Sequence, residues 1–185
     1  MRLEFKNILD CPDDLKLKVR EWRNLEDVRK YMYTDRIIEH DEHIKWLDTL
    51  ATNEKNRFFI VFFDDKPIGA VSLNNINLDF KTTDWAFYIF DESARKKGVG
   101  AAIEMYFLDY VFTECGFEKL NCEVIASNEA VVKMHQKFGF KIEGVRRKNI
   151  LKNDERIDVV LLGILKNEWL ENRVNIEKIV LRLVS

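Results

Sequence analysis

The stretch Tyr88-Ile89-Phe90-Asp91-Glu92-Ser93-Ala94-Arg95-Lys96-Lys97-Gly98-Val99-Gly100-Ala101 joins a β-forming run to an apolar-striped helix through a basic turn that holds two glycines. Those residue types at that spacing make an anion site. The first N–H groups of a helix have no partner inside it, and the macrodipole places partial positive charge at the same end. Gly98 and Gly100 keep side chains out of the way so that a phosphate can reach those amides, and Arg95, Lys96 and Lys97 add favourable charge. A pyrophosphate would fit. The spacing is not GxxxxGK[ST], which excludes a P-loop, and not GxGxxG, which excludes the first turn of a dinucleotide-binding fold. A tight turn in a solvated basic loop is the plainer description of the same residues.

Three other groups carry chemistry by type. Trp22-Arg23-Asn24 offers an aromatic face, a forked cation and an amide at a helix junction, a set suited to a nucleotide diphosphate or a sugar. The same three residues also read as a core indole followed by a solvated cap. His43 and Trp46 share a helical turn, either as cleft residues or as a packed histidine beside a core indole. Glu123 alternates with Cys122 on a strand, where it is either a general base, acting directly or through a water, or a surface carboxylate.

These groups must be held by strands and helices that the periodicity outlines. Leu3, Phe5 and Ile8 predict a first strand, and Leu15 to Met32 reads as helical with a break near Trp22-Arg23-Asn24, where Asn24 is placed as an N-cap and Asp27 at the capping-box position. Asp41 to Leu50 is a second helix. Arg57 to Phe63 and Ile68 to Leu73 flank the turn residues Asp64-Asp65-Lys66-Pro67 as a hairpin, and Thr82 to Phe90 is a further strand. Gly98 to Cys115 is the longest helical signal, with Val99, Ile103, Tyr106, Phe107, Tyr110 and Val111 on one face and Gly116 as its stop. Leu120 to Ala126 is a strand, Asn128 to Lys137 a short helix that Gly139 ends, and Phe140 to Arg147 and Ile157 to Leu165 are the last strands, turning at Asn153-Asp154. A helical tail follows around Trp169. Strands with interspersed helices predict an α/β (α+β) sheet with helices packed on it.

Composition bounds the rest. The chain has 185 residues, 46% hydrophobic and 34% charged, with two prolines and seven glycines, which predicts one domain with a sizeable core. Its 30 basic and 32 acidic residues leave a net charge of −2, so no global field favours nucleic acid or an anionic membrane. Cys11, Cys115 and Cys122 are odd in number and lack metal-ligand spacing, which predicts reduced thiols, no metal and a cytoplasmic location. No window approaches the ~18 apolar residues of a membrane span, and charges interrupt the N-terminal apolar positions where a secretory signal would be continuous.

Arg95, Gly98 and Gly100, set between a strand and a helix, resemble the [Q/R]-x-x-G-x-[G/A] pyrophosphate loop of the GNAT superfamily of acyl-CoA-dependent N-acetyltransferases. A second segment, from Ser127 and Asn128 through Met134-His135-Gln136-Lys137-Phe138-Gly139-Phe140, is similar to the superfamily's downstream [LM]-[YH]-x-K-x-G-F motif and follows a strand, as that motif does. The resemblance implies a mixed, twisted central sheet with helices on both faces, in which Thr82 to Phe90 and Leu120 to Ala126 are parallel neighbours that splay apart. It implies acetyl-CoA as cosubstrate, its pyrophosphate on Arg95 to Ala101, its pantetheine on the backbone of Tyr88, Ile89 and Phe90, and Asn128 beside it. Transfer is then direct, without an acyl-enzyme, so the cysteines are structural. His135 falls where many members carry the tyrosine that protonates the leaving thiolate, a departure that leaves the acid open, with Tyr106 the nearest other candidate.

The combination of Trp22-Arg23-Asn24, Val28-Arg29-Lys30-Tyr31-Met32 and Glu42-His43-Ile44-Lys45-Trp46-Leu47 resembles the GNAT branch that acetylates nucleotide-linked amino sugars. Within it, the similarity is to the UDP-4-amino-4,6-dideoxy-N-acetyl-β-L-altrosamine N-acetyltransferases of pseudaminic acid biosynthesis, the pathway that supplies sugar for flagellin glycosylation. On that resemblance residues 1–56 form the acceptor side, 57–165 the sheet and acetyl-CoA site, and 166–185 a tail, of one domain that either stands alone or forms a homodimer. Trp22, Arg23, Asn24, His43 and Trp46 are then the acceptor residues. Enzymes that acetylate the N-terminal alanine of ribosomal proteins share a similar opening and the ending Glu143-Gly144-Val145-Arg146-Arg147 with Asp158, and are the enzymatic rival. A non-catalytic acyl-CoA-binding module is the remaining alternative.

Overall fold

The computed structural model describes residues 2–95 and 98–184, so Lys96 and Lys97, expected in the anion loop, lie outside the described residues. Strand β1 (Leu3–Asn7) runs into a 3-10 turn, Ile8–Asp10, in which the Asn7 side chain accepts the Leu9 N–H. Ile8 was expected to extend the strand; the Asn7 cap turns the chain first, and Ile8 is fully buried below it. Helices α1 (Asp13–Asn24) and α2 (Glu26–Arg29) break at Leu25, within one residue of the expected position. Asn24 is not the cap. It closes α1, and its amide donates to Ile38 O at 3.0 Å and accepts from Ile38 N at 2.9 Å, so it fastens a distant loop instead.

The remaining elements are α3 (His40–Thr52), β2 (Arg57–Phe63), β3 (Lys66–Asn77), β4 (Thr82–Ile89), α4 (Glu92–Arg95), α5 (Val99–Asp109), β5 (Lys119–Ile125), α6 (Glu129–Lys137), β6 (Lys141–Lys152), β7 (Glu155–Leu165) and α7 (Lys166–Val184). Two hairpins are longer than the sequence pattern indicates. Asp64-Asp65 (φ 46° and 64°) and Asn153-Asp154 (φ 49° and 63°) hold both central residues at positive φ, the two-residue turn that lets flanking strands pair right up to it. Helix α5 changes to a π-helical turn over Tyr110–Glu114 before Gly116, at φ 72°, ends it.

One seven-stranded sheet runs in the order β1-β2-β3-β4-β5-β7-β6, with β4 and β5 its parallel pair among otherwise antiparallel neighbours. Alternation along β2 sorts its two faces. Ile60 and Phe62 pack with Ile8, Val19 and Leu50 under α1 and α3, while Phe59 and Val61 join the larger cluster under α5 and α7. Of the expected apolar face, Val99, Ile103 and Phe107 on α5 and Val111 on the π-helical turn are buried, Tyr110 is half-buried and Tyr106 is 40% exposed, whereas Glu104 and Met105 are buried. The tail is a helix with Trp169, Ile176 and Val180 buried, and Asp109 accepts from Trp169 Nε1 at 3.0 Å and Arg173 Nε at 2.8 Å. None of the described helices is long and apolar enough to cross a membrane.

Candidate active site

Strands β4 and β5 pair only at Thr82–Lys119, Thr83–Leu120 and Asp84–Asn121. Beyond that point β4 stays on β3 as far as Ile89 and β5 stays on β7 as far as Ile125, so the sheet splits between them. The edge of β4 that faces the split has no strand partner past Asp84, and an extended chain can add there by main-chain hydrogen bonds. Part of the expected set is already engaged. The Phe90 N–H donates to Ile68 O at 2.9 Å, and Arg95 Nε donates to Ile89 O at 2.9 Å while its Nη1 lies 3.4 Å from Asp27.

Gly98 stands at the start of α5 with φ 69°, a conformation that favours glycine. A Cβ there would also come within 2.7 Å of Leu183 Cβ on α7. Gly100 differs: a Cβ on it would meet nothing closer than Ile89 Cδ1 at 3.6 Å, so the protein's own packing does not demand a glycine. A position that would accept a side chain but carries none, beside the unpaired N–H groups of the first turn flanked by Val99 and Ala101, fits the close approach of a phosphate. Asn128 occupies the N-cap position of α6 without a side-chain cap bond, half-buried.

Side chains alternate across the split. Trp85, Phe87 and Cys122 point to the α5 side, where His135 from α6 packs on Trp85 (ring centroids 5.5 Å apart) and Phe140 (5.1 Å). His135 is 4% exposed, and its Nδ1 lies 2.7 Å from Oε1 of Glu104, which is fully buried on α5. The other oxygen, Glu104 Oε2, has no hydrogen-bond partner among the described residues. Burial pushes the Glu104 carboxyl above its ordinary range, against the pull of His135. Cys122 is also pushed upward by burial, which keeps it a thiol rather than a nucleophile.

On the opposite face a cavity of about 310 Å³ opens between α1, α3 and strands β3 and β4. Arg23, His43, Trp46 and Tyr88 all line it. Its walls are mostly apolar, with Ser72, Asn74 and the Arg36-held carboxylate of Glu42 among them, and Arg23 Nη1 and the Tyr88 hydroxyl are both buried without a hydrogen-bond partner among the described residues. Burial lowers the Arg23 guanidinium and raises the Tyr88 phenol, so the two are a protonated fork and a neutral donor. His43 Nε2 lies 2.8 Å from Lys16 O, and burial depresses its pKa, which keeps it neutral. Two of the expected acceptor residues do not line this cavity. Trp22, about 100° round α1 from Arg23, turns away and stacks on Phe90 (4.1 Å, 11° between planes), and Asn24 donates its amide to Ile38 O.

Glu123 lies on the acceptor side of β5 with both oxygens taken, one by the Tyr33 hydroxyl and the other by Arg146 Nη1 at 2.5 Å. Lys152 on β6 crosses to the same loop; the residue is 7% exposed, and its ammonium donates to Lys30 O at 2.6 Å and Met32 O at 2.9 Å. Sequence reasoning missed Glu104, Tyr33, Arg146, Lys152 and the side chain of Tyr88. For Glu104 a signal existed, a lone carboxylate within the apolar run Val99 to Leu108; contacts of Lys152 with a loop some 120 residues away leave none.

A family model described as "Acetyltransferase (GNAT) domain" matches residues 12–161. The chain belongs to the GNAT acetyltransferases. Among curated relatives of this acetyltransferase, the "Acetyltransferase PseH" of Campylobacter jejuni is 25% identical over 140 residues, 76% of this chain and 85% of that protein. The spermidine N(1)-acetyltransferase of Escherichia coli is 24% identical over 158 residues, 85% of this chain and 84% of that one. Among solved structures, the Vibrio cholerae spermidine N-acetyltransferase in complex with CoA and spermine superposes with a TM-score of 0.82 at 22% identity, over 91% of this chain and 98% of that one. The family uses acetyl-CoA, and the mixed seven-stranded sheet is the GNAT fold.

Proposed function

We propose that this acetyltransferase carries the acetyl group of acetyl-CoA directly to the amino group of a UDP-linked deoxyamino sugar of the pseudaminic acid pathway. The observation that carries the reading is the pair of unpartnered buried donors in the acceptor cavity, Arg23 Nη1 and Tyr88 Oη. Asp35 acts on Arg23 only from a distance and Glu42 on the cavity wall is held by Arg36, so Nη1 is left for a charge-assisted bond that an amine bringing negative charge of its own would supply. A sugar linked to a diphosphate does so. A polyamine brings the opposite charge, which separates this site from the spermidine-named relatives. Similarity to the Campylobacter relative named PseH supports the same choice.

The donor supplies an activated thioester, and this chain's residues do the rest. The unpaired edge of β4 aligns the pantetheine arm, the first turn of α5 at Gly98 to Ala101 holds the pyrophosphate, and Asn128 flanks the arm from α6. Arg95 exchanges its contact with Ile89 O for phosphate oxygens, which frees that carbonyl. The acceptor attacks the thioester from the α1–α3 side of the split. Glu123, with Arg146 and Tyr33 on its two oxygens, shapes the wall of the acceptor side rather than drawing off a proton. His135 protonates the departing thiolate from the α5 side.

Acceptor profiling tests the reading: CoA release is followed with the sugar nucleotide, with spermidine and with an alanine-initiated ribosomal peptide. Turnover of the sugar nucleotide alone is expected. Turnover confined to the peptide would transfer the chain to the rival N-terminal alanine acetyltransferases, and CoA binding with none of the three would make it a binding module.

A further inference from the structure

Glu104 is fully buried in the apolar face of α5, and no role described so far requires a carboxylate there. Its Oε1 lies 2.7 Å from His135 Nδ1, its Oε2 has no partner, and His135 Nε2 makes no hydrogen bond among the described residues. The pair sits just past the point where β4 and β5 part, between Trp85 and Phe87 of β4 and Phe140. We propose that Glu104 is the positioning residue for the leaving-group acid: with His135 it forms a net-neutral buried pair that keeps a proton on Nε2 throughout the neutral pH range. This rests on the reading of His135 as the proton donor.

An apolar surround disfavours net charge, so the pair holds one proton between Oε1 and Nδ1 and a second on Nε2. Whether the first resides on oxygen or nitrogen, Nε2–H remains a donor. As the acceptor nitrogen bonds to the acetyl carbon and the C–S bond breaks, the sulfur takes the Nε2 proton and the shared proton settles on Nδ1, leaving the charge on Glu104. The proton lost by the acceptor nitrogen goes to water, and one from water reloads Nε2, so the cycle balances. A lone neutral imidazole has no such route, because giving up its single N–H would leave an imidazolate.

Glu104→Gln is isosteric and can still hydrogen-bond to Nδ1, but it cannot pass a proton to it. The expected result is a fall in kcat of about 10²-fold with the acetyl-CoA dissociation constant unchanged. The fall should vanish in the His135→Phe background, and His135→Tyr should restore most of the rate to Glu104→Gln, because a phenol carries its own proton at neutral pH. On the parent enzyme, kcat should show no falling limb between about pH 6.5 and 8, where a lone imidazolium would lose about tenfold per unit. The other titratable groups nearby are Cys122 and Glu123 on β5 and Asp84 on β4.

A Glu104→Gln enzyme within twofold of the parent, a loss that multiplies with that of His135→Phe, or a falling limb centred near the ordinary imidazole pKa would each overturn the role of Glu104. Near-parental turnover in His135→Phe alone would overturn the acid assignment on which it rests. The pH profile needs no variant and decides the matter even if Glu104→Gln does not fold.

Discussion

Arg23→Met separates an acceptor-binding arginine from a structural one, because the two effects expected of it have opposite signs. In the free protein Arg23 Nη1 is a buried donor with no hydrogen-bond partner among the described residues, and its Nη2 donates to Thr34 O at 3.1 Å. An unsatisfied buried donor costs about 1–3 kcal/mol, and an ordinary hydrogen bond contributes about 0.5–1.5 kcal/mol. Methionine fills similar apolar volume, so removing both leaves a net gain of about 1 kcal/mol, a rise in Tm of about 2–4 °C for a chain of this length. With an anionic acceptor in place, the lost charge-assisted bond is worth about 1.5–3 kcal/mol, which is about 10- to 150-fold in acceptor KM. The KM for acetyl-CoA should hold within about twofold, since Arg23 lines the cavity and not the split. Differential scanning calorimetry and initial rates measured on the same preparation check both. A variant that melts lower than the parent with unchanged acceptor KM would show that Arg23 is structural and refute the reasoning.

Further outcomes are expected. Gly100→Asp should leave Tm close to the parent, because the site has room and an acidic residue suits a helix start, yet abolish acetyl-CoA binding in calorimetry; unchanged affinity would remove the phosphate from that turn. Gly98→Asp is the poorer probe, since its side chain would collide with Leu183 before any ligand arrives. Lys152→Met leaves the carbonyls of Lys30 and Met32 without their donor, and should lower stability by about 2 kcal/mol and raise acceptor KM; denaturant unfolding at parental values would refute that clamp. The depressed pKa of His43 means that the unfolded chain binds the proton more readily, so its contribution is present above about pH 6.5 and is lost as pH falls through the lower folded value. Tm should therefore decline below about pH 6.5, and His43→Gln should shallow that decline.

Sequence and structure agree most closely where a local rule acts. The glycine turn at the start of α5 and the α6 segment rest on short-range spacing, and each starts within a residue or two of its expected place, whereas the split between β4 and β5 is implied by the family resemblance and not by spacing. The acceptor residues divide on a different ground. Arg23, His43 and Trp46 reach the cavity, but Trp22 and Asn24, one residue either side of Arg23, turn away from it, since successive residues on a helix point about 100° apart. Nothing in the sequence says which of the three faces inward until α3 and β4 are in place. Tyr88 shows the same limit: a strand's alternation predicts that its side chain leaves one face, but the face is set by Trp85 and Phe87 packing under α5. Tyr33, Arg146 and Glu123 meet across as many as 90 residues of chain, and only the assembled fold brings them together.

The charge of the acceptor is the property on which the proposed function depends most. Initial rates of CoA release, measured at saturating acetyl-CoA with a UDP-linked 4-amino-4,6-dideoxy sugar, spermidine and an alanine-initiated peptide, test it most directly. The expected kcat/KM for the sugar nucleotide is at least about 10³-fold above the other two, and Arg23→Met should reduce that margin by about 10- to 150-fold. Efficient acetylation of spermidine or the peptide, with none of the sugar nucleotide, would contradict it.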